Sequence, residues 1–270
     1  MTTLAAGGPG PAAVTGAAGR GHSGTRLWLH RNPLRVAWSA APWSAAGYLG
    51  GYLLVGGLLF SIAFTAATTA AVLAITIFGI PLLAAAAGVV RGCANIERGR
   101  LRQVLTDPVH GRYEAVTRLG IVAQATTRWR DPATWRDVAY LIGLWVPLTI
   151  LDAVVFGIWA WFLSWITVPA WYWAPWISDH GSRLHGYQLG FYFPHRPDGP
   201  GTIGLFVDTL PKALGVAAAG LAGFLLFNYV LVVTARMHAR VARSLLRPPG
   251  DPLAEAKGVL SGPGPLGSLT

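Results

Sequence analysis

The feature that most constrains this chain is a long run without charge: no Asp, Glu, Lys or Arg occurs between Arg35 and Arg91. A membrane span needs about 20 apolar residues, so the run has room for two spans. Further apolar stretches begin near Val138 and near Lys212. In lipid, only helices and closed barrels satisfy their own backbone groups. These stretches are longer than membrane strands and lack alternation, so they predict an all-α integral membrane protein.

The apolar stretches predict two helical hairpins. We place the four transmembrane helices near residues 45–66, 69–90, 138–165 and 212–234. The small residues of Thr65–Ala70, "TAATTA", are expected to form the outer turn of the first hairpin. Residues 91–137 then connect the hairpins, and residues 166–211 form one long outer loop. Together, residues 36–247 make up the predicted membrane domain.

Composition supports lipid as the solvent of this domain. Hydrophobic residues make up 53% of the 270 residues and charged residues only 12%, with a mean hydropathy of +0.47. A soluble protein carries about a quarter charged residues. The single cysteine, Cys93, excludes an internal disulfide, and we interpret it as a small residue at the membrane surface.

Arginine placement predicts the orientation, because basic residues are enriched on the cytosolic side. The arm before the first span, residues 91–137 and the segment after the fourth span are basic, whereas the outer loop balances its charges. We therefore expect the protein in the plasma membrane, with both termini in the cytoplasm and the outer loop outside the cell. No basic, aromatic-bearing domain remains free of the membrane, so no nucleic-acid partner is expected.

Two segments outside the membrane domain are expected to be disordered. Residues 1–35 form a Gly/Pro-rich and then basic N-terminal arm, and residues 248–270 form a similar C-terminal tail. The segments that leave the two hairpins resemble each other, "RGRLRQVLTDP" and "ARVARSLLRPP", since aligning Arg102 with Arg243 also aligns Pro108 with Pro249. This similarity predicts a duplicated hairpin in which each exit continues as a cytosolic, basic, amphipathic helix.

The entry to the second hairpin offers two alternatives for a helix start. In "DPATWRD", Asp131 can cap a helix whose first residue is Pro132, or Thr134 and Asp137 can form a capping box. Farther along, Pro147 is expected to bend the third span, because proline removes a backbone donor.

Several short motifs occur in a characteristic order: Gly79-Ile80-Pro81, Arg91, Ala94, Glu97-Arg98, Asp131-Pro132, Trp135-Arg136-Asp137 and Tyr140. Over Ala45–Leu246 this order resembles the sensor domain of actinobacterial membrane proteins, which often precedes a sensor histidine kinase and also occurs alone. Gly56-Gly57 departs from it, because the family is expected to have a proline there. The resemblance implies four helices and a sensing role, and it implies no ligand and no catalytic residue.

Asp152 is the one acid deep within a predicted span. Inserting a carboxylate at this depth costs a free energy of about 2.5–3.5 kcal/mol, so the presence of Asp152 requires an explanation. It could serve as an ion or proton site facing Asn228 of the fourth span. Alternatively, it could be a protonated or hydrogen-bonded residue that ties helices together. We favour the structural role, because a lone acid without a polar chain makes a poor relay.

The stretch "WAWFLSWITVPAWYWAPW" holds half of the chain's twelve tryptophans, Trp159, Trp161, Trp165, Trp171, Trp173 and Trp176. It straddles the predicted outer end of the third span, where tryptophan is enriched because its ring is apolar and its N–H binds water. Most of the six are thus expected to form a belt at the membrane surface. Clustered aromatics also form cation–π surfaces, so the stretch and Asp152 are the candidate sensing residues.

Other chemistry is not predicted. The outer loop carries three histidines and two acids, Asp179, His180, His185, His195 and Asp198, whose spacing matches no metal-ligand pattern. We expect a solvated loop, with no metal and no cofactor. Phosphate-binding and hydrolase motifs are also missing from the sequence, so no enzyme is expected.

Two functions remain. The first is a sensor-type protein without its own kinase, which passes an envelope or membrane signal to a histidine kinase, to another membrane signalling protein or through a homo-oligomer. The alternative is a small transporter or permease subunit, which the duplicated hairpins and Asp152 favour.

Overall fold

A computed structural model describes residues 25–27, 32–76, 79–116, 120–179, 182–193 and 201–247. The helices are α1 (Pro33–Ala37), α2 (Ala40–Leu73), α3 (Gly79–Leu101), α4 (Ile121–Arg130), α5 (Pro132–Val138), α6 (Trp145–Ile166), α7 (Val168–Trp171) and α8 (Leu210–Leu246), with a π-helical turn at Ala139–Gly143. The strands are β1 (Trp176–Asp179), β2 (Ser182–His185), β3 (Tyr187–Phe193) and β4 (Gly201–Val207).

Four of these helices, α2, α3, α6 and α8, are long and apolar enough to cross a membrane. Large apolar side chains remain exposed along them, for example Leu54, Ile150 and Leu226. An exposed apolar surface of this extent on helices of this length is consistent with contact with a lipid bilayer. The predicted helical membrane protein with four candidate spans is therefore confirmed.

The first hairpin turns later in the chain than we predicted. Helix α2 continues through Thr65–Ala70, and Thr68 bonds its hydroxyl to the Phe64 carbonyl at 2.7 Å, which satisfies it within the helix. Alanine is the best helix former, so the small residues extend the helix rather than end it. The second span accordingly begins at Gly79 instead of residue 69. A Cβ at Gly79 would lie 2.1 Å from the Leu73 carbonyl oxygen, so the turn there requires glycine.

The second hairpin begins with the first of the two predicted helix starts. Asp131 is the N-cap of α5, and its side chain accepts a hydrogen bond from the Ala133 backbone N–H at 2.9 Å. The π-helical turn separates α5 from α6 and ends at Gly143, four residues before Pro147. Proline at 147 has no N–H for the Gly143 carbonyl, which accounts for an irregular helix at this point.

Helix α6 packs along α8 through small residues. A Cβ at Gly220 would lie 2.6 Å from the Cβ of Trp165, and one at Gly223 would lie 2.4 Å from the Phe162 ring. Glycine at these two positions therefore lets the backbones approach closely. By contrast, nothing lies within 4 Å of a Cβ built at Gly215.

Contacts between the hairpins define their relative direction. The ring centroids of Trp43 and Trp159 are 5.5 Å apart, and Phe60 stacks on Trp145 at 4.1 Å, so α2 runs antiparallel to α6. We expected both hairpins to enter from the same side, which would make α2 and α6 parallel. The packing differs because arginine counts describe the flanks of each span separately and carry no information on how the hairpins pair. The turn after α2 consequently lies at the opposite end of the bundle from the strands.

The predicted outer loop is partly folded into β-structure, which the all-α expectation did not include. Strands β1 and β2 pair antiparallel from Trp176 with His185, and β3 pairs with β4 from Tyr187 with Val207. Apolar and aromatic residues separated by Gly-rich turns are typical of such hairpins.

The basic N-terminal arm is ordered in part. Leu27 is only 1% exposed, and the Arg26 backbone N–H donates to the Val104 carbonyl at 2.8 Å. Helix α1 then starts at Pro33, with Asn32 as its N-cap. Thr25–Leu27 therefore contact the folded domain, and Asn32–Arg35 form the start of α1. Residues 1–24, 28–31 and the tail 248–270 lie outside the described residues, so their disorder stays a prediction.

A buried polar network as the candidate functional site

The centre of the site is a pair of side chains from α6 and α8. Asp152 Oδ2 lies 2.6 Å from His238 Nδ1, and both side chains are 0% exposed. The ion-site alternative had Asn228 facing Asp152, but Asn228 instead accepts a hydrogen bond from Trp159 Nε1 at 2.8 Å. The reason lies in the length of α8. Its inward face continues from Asn228 for ten residues to His238, beyond the predicted end of the span.

The pair continues into a chain of four buried groups and the part-buried Arg100, which we call the polar chain: Asp152, His238, Tyr140, Glu97 and Arg100. His238 Nε2 lies 3.1 Å from the Tyr140 hydroxyl, which donates to Glu97 Oε1 at 3.1 Å. Glu97 Oε2 accepts from Arg100 Nη1 at 2.8 Å. The polar chain thereby joins α6, α8, the π-helical turn and α3.

The hydrogen-bond pattern determines how many protons the Asp152–His238 pair holds. Because the Tyr140 hydroxyl donates its only proton to Glu97, His238 Nε2 must carry a hydrogen to bond the Tyr140 oxygen. The 2.6 Å contact at Nδ1 then needs a second proton, on either Nδ1 or Asp152. Both placements give a pair of zero net charge. A neutral pair is far easier to bury than a lone carboxylate.

Aromatic rings of α2 surround this pair. The rings of Tyr48 and Tyr52 lie edge-on to His238 at 5.2 and 4.4 Å between centroids. Arg100 donates to the Tyr48 carbonyl at 2.9 Å and lies over both tyrosine rings, so α2 is also tied to the polar chain. Among the described residues, Asp152 Oδ1 and the Tyr48 hydroxyl are buried without a hydrogen-bond partner.

A second group, the arginine cluster, lies beside the polar chain and joins α3 to α5. Arg91 donates to Thr134 Oγ1 at 2.8 Å and to Asp131 Oδ2 at 2.9 Å. Its guanidinium also stacks on the Tyr113 ring at 4.3 Å. Asp131 therefore serves both as the cap of α5 and as the ion-pair partner of α3.

Arg98 forms the other half of the arginine cluster. It bonds Asp137 Oδ1 at 2.6 Å, the Tyr113 hydroxyl at 2.6 Å and the Leu246 carbonyl at 3.0 Å, which holds the C-terminal end of α8 against α3. Burial raises the pKa of the Asp137 carboxyl, while the Tyr113 hydrogen bond and the Arg98 charge act in the opposite direction. Burial, followed by the bond to Asp137, raises the pKa of Tyr113 to about 12.

The six predicted tryptophans do not share one surface. Trp159 is buried at 4% exposure within the bundle, so it cannot belong to a belt. Its position is explained by the Asn228 hydrogen bond, which gives its N–H an internal partner. The exposed members are Trp161, Trp173 and Trp176, and Trp176 has Arg183 over its ring at 4.6 Å. Trp165 and Trp171 are half-buried. For these five, the belt and the sensing surface stay predictions.

Of the outer-loop residues, the structure describes Asp179 in β1 and His185 in β2. His180, His195 and Asp198 lie outside the described residues. Where the chain is described, no group of three His, Cys, Asp or Glu side chains could hold a metal ion. Cys93 is buried in α3 rather than placed at a surface.

A family model described as "Putative sensor" matches residues 48–246. The chain belongs to this family. The match begins at Tyr48, which contacts the polar chain, and ends at Leu246, which binds Arg98. No curated protein and no solved structure matches the chain.

The family motif and the buried network largely coincide. The polar chain and the arginine cluster take most of their members from the motifs that carried the resemblance: Arg91, Glu97, Arg98, Asp131, Asp137 and Tyr140. Sequence reasoning missed His238, Tyr48 and Tyr52. The spacing of Asn228, Leu231, Ala235 and His238 along one helix face is a signal that could have placed His238 inside.

Proposed function

We propose that this protein is a membrane sensor without a kinase of its own, which detects an envelope or membrane signal and passes it to a separate partner. Membership of the sensor family supports a sensing role in general terms. The polar chain supports a route by which a signal would travel from one hairpin to the other.

The observation that carries the proposal is the continuity of the polar chain across both hairpins. From Asp152 to Arg100, each group is bonded to the next at 2.6 to 3.1 Å, and Arg100 is bonded to α2. A shift of α6 against α8 would break a buried hydrogen bond, and an unpaired buried polar group costs about 1–3 kcal/mol. Such a network favours two discrete arrangements over a continuous range, as a switch requires.

The remaining parts of the proposal concern orientation and partners. We place the arginine-rich end of α8 in the cytoplasm and the β-hairpins outside a plasma membrane, which follows the arginine excess after the fourth span. The backbone of Leu27 accepts a hydrogen bond from Arg236, so the described start of the chain lies against the C-terminal half of α8. The partner is a histidine kinase, another membrane signalling protein or a second copy of this chain. In this role the protein is not an enzyme and binds no nucleic acid.

A deletion strain tests the sensing role. The strain is complemented with the wild-type gene or with an empty vector, and both are exposed to a detergent that perturbs the envelope. Genome-wide transcript levels are then compared before and after exposure. A set of genes that responds only with the wild-type protein supports the proposal. Identical responses in both strains would refute it.

A permease subunit is the second candidate, which the Asp152–His238 pair favours. The pair holds a proton between Asp152 and His238, and Tyr140 and Glu97 extend the pair as a proton relay would. Proteoliposomes with an imposed pH gradient and a trapped pH dye measure proton flux. A flux that Asp152→Asn abolishes would support the permease, whereas a flux equal to that of empty liposomes supports the sensor.

A further inference from the structure

An apolar groove lies outside the polar network, between the first hairpin and the segment that leads into the second. Its volume is about 620 Å³, which is in the range of small-molecule sites. It is bounded by α2 at Phe64 and Ala71, by α3 at Leu83, by α4 at Val122 and Trp129, and by the π-helical turn at Ile142. None of these residues belongs to the polar chain or the arginine cluster.

The polar atoms around the groove decide the chemistry of its occupant. Among the described residues that line it, four side chains carry a polar atom, and each atom is already bonded to a backbone carbonyl. Thr68 binds Phe64 and Thr126 binds Val122 within their own helices, at 2.7 and 2.8 Å. The indole N–H of Trp129 donates to the Leu83 carbonyl at 2.8 Å. The indole N–H of Trp135 donates to the backbone carbonyl of Trp129, also at 2.8 Å. The lining thus offers no free hydrogen-bond donor, which favours a hydrocarbon as the occupant of the groove.

Helix α4 indicates where the hydrocarbon comes from. One face of this helix, Val122, Ala125 and Trp129, lines the groove, and its last turn carries Arg128 and Arg130. Apolar and basic faces on one short helix, with tryptophan between them, are typical of helices that lie at the membrane surface. Arg128 is held by the Ala84 carbonyl at 2.8 Å, whereas the Arg130 side chain is exposed. The helix contains no acid, so its charge favours an anionic headgroup.

From these contacts we infer that the groove binds one acyl chain of an anionic phospholipid from the surrounding bilayer. The acyl chain lies between α2 and α4, and the lipid headgroup lies near Arg130. This binding site is separate from the proposed sensing role, because a protein without any signalling output would still hold the lipid.

Photo-cross-linking of the full-length protein in vesicles tests the site. The vesicles contain phosphatidylethanolamine and a phosphatidylglycerol that carries a diazirine in one acyl chain, and labelled peptides are identified by mass spectrometry. The groove peptides 64–71 and 121–130 should be labelled several-fold more than the exposed face of α6 at Ile150 and Val154. That face is equally apolar and contacts only ordinary bilayer lipid.

Two variants fill the groove, and one is a matched control. Ala71→Phe places a ring in the groove and should reduce labelling of peptide 121–130 several-fold, as should Thr126→Phe from the opposite wall. Val72→Phe adds a phenyl ring one residue along the same helix, at a residue that does not line the groove, and should leave labelling unchanged. Size-exclusion profiles of all three proteins verify that they remain folded.

Three results would overturn the inference. Labelling of the groove peptides no stronger than that of the α6 face would mean ordinary bilayer contact. Equal labelling of peptide 121–130 in Ala71→Phe, Thr126→Phe and Val72→Phe would show that the acyl chain lies elsewhere. Equal labelling by a phosphatidylcholine carrying the same diazirine chain would contradict the anionic headgroup.

Discussion

Asp152 Oδ2 and His238 Nδ1 lie 2.6 Å apart in a hydrogen bond between two helices, and neither side chain reaches the surface. The two residues lie in the apolar part of the bundle and share one proton, so the pair stays neutral. This relationship changes the interpretation of Asp152 from a lone buried acid to one end of a polar chain.

Substitutions at Asp152 should separate hydrogen bonding from charge. Asp152→Asn keeps a group that can bond His238, so membrane abundance and thermal stability should remain near wild type. Asp152→Ala leaves the buried imidazole unpaired and should lower the free energy of unfolding by about 1–3 kcal/mol. Thermal unfolding of the purified proteins in detergent measures both effects. Equal stability of the Ala and Asn variants would show that the contact contributes nothing.

Two glycines of α8 provide a matched pair for the helix contact. Gly220→Ala would place its Cβ 2.6 Å from Trp165 Cβ and 3.1 Å from the Phe162 carbonyl oxygen, so overpacking should destabilise the protein by about 1–3 kcal/mol. Gly215→Ala meets nothing within 4 Å and should be neutral or stabilising by up to about 1 kcal/mol, since alanine favours the helix. The same thermal unfolding assay applies. A Gly215→Ala protein as unstable as Gly220→Ala would contradict the packing described for α6 and α8.

The arginine cluster predicts a pH dependence at the alkaline end. The pKa of Tyr113 is raised from 10.0 to about 12, so the unfolded chain loses this proton first as the pH rises. The stability that Tyr113 contributes is therefore complete below pH 10 and lost progressively up to about pH 12. Tyr113→Phe should remove this part of the alkaline decline in melting temperature. Parallel curves for wild type and variant across that range would contradict the assignment.

The opposite directions of the hairpins are testable by cysteine labelling. In a Cys93→Ser background, Thr76→Cys probes the turn after α2, and Asp208→Cys probes the end of the β-structure. The packing places these positions at opposite ends of the bundle. A membrane-impermeant maleimide should therefore label Asp208→Cys in intact cells and Thr76→Cys only after lysis. Labelling of both in intact cells would instead restore the orientation that the arginine counts predict.

The sequence was sufficient for features that depend on local pattern. Apolar length predicted the four spans, and Asp131 before Pro132 was one of two predicted starts of α5, because a cap satisfies backbone groups within the next turn. The first turn was misplaced because alanine and threonine are small, which is typical of turns, yet both are also compatible with a helix in lipid. Here a local signal had two physical interpretations.

Pairing between distant segments could not be derived in this way. Asp152 and His238 are separated by 86 residues, and the choice between Asn228 and His238 depends on how far α8 continues inward. Similarly, the burial of Trp159 depends on the Asn228 amide of another helix. The motif residues of the arginine cluster were visible in the sequence, but their bonds to Tyr113 and Leu246 required the fold.

The most direct measurement of the central claim is the effect of Tyr140→Phe on the transcript response of the complemented deletion strain. This change removes a single oxygen, which joins His238 to Glu97, and preserves the ring. Tyr172→Phe, at the end of α7 and away from the polar chain, serves as the control. The account predicts that Tyr140→Phe loses the response at unchanged membrane abundance, while Tyr172→Phe retains it. A full response from Tyr140→Phe would contradict the claim that the polar chain carries the signal between the hairpins.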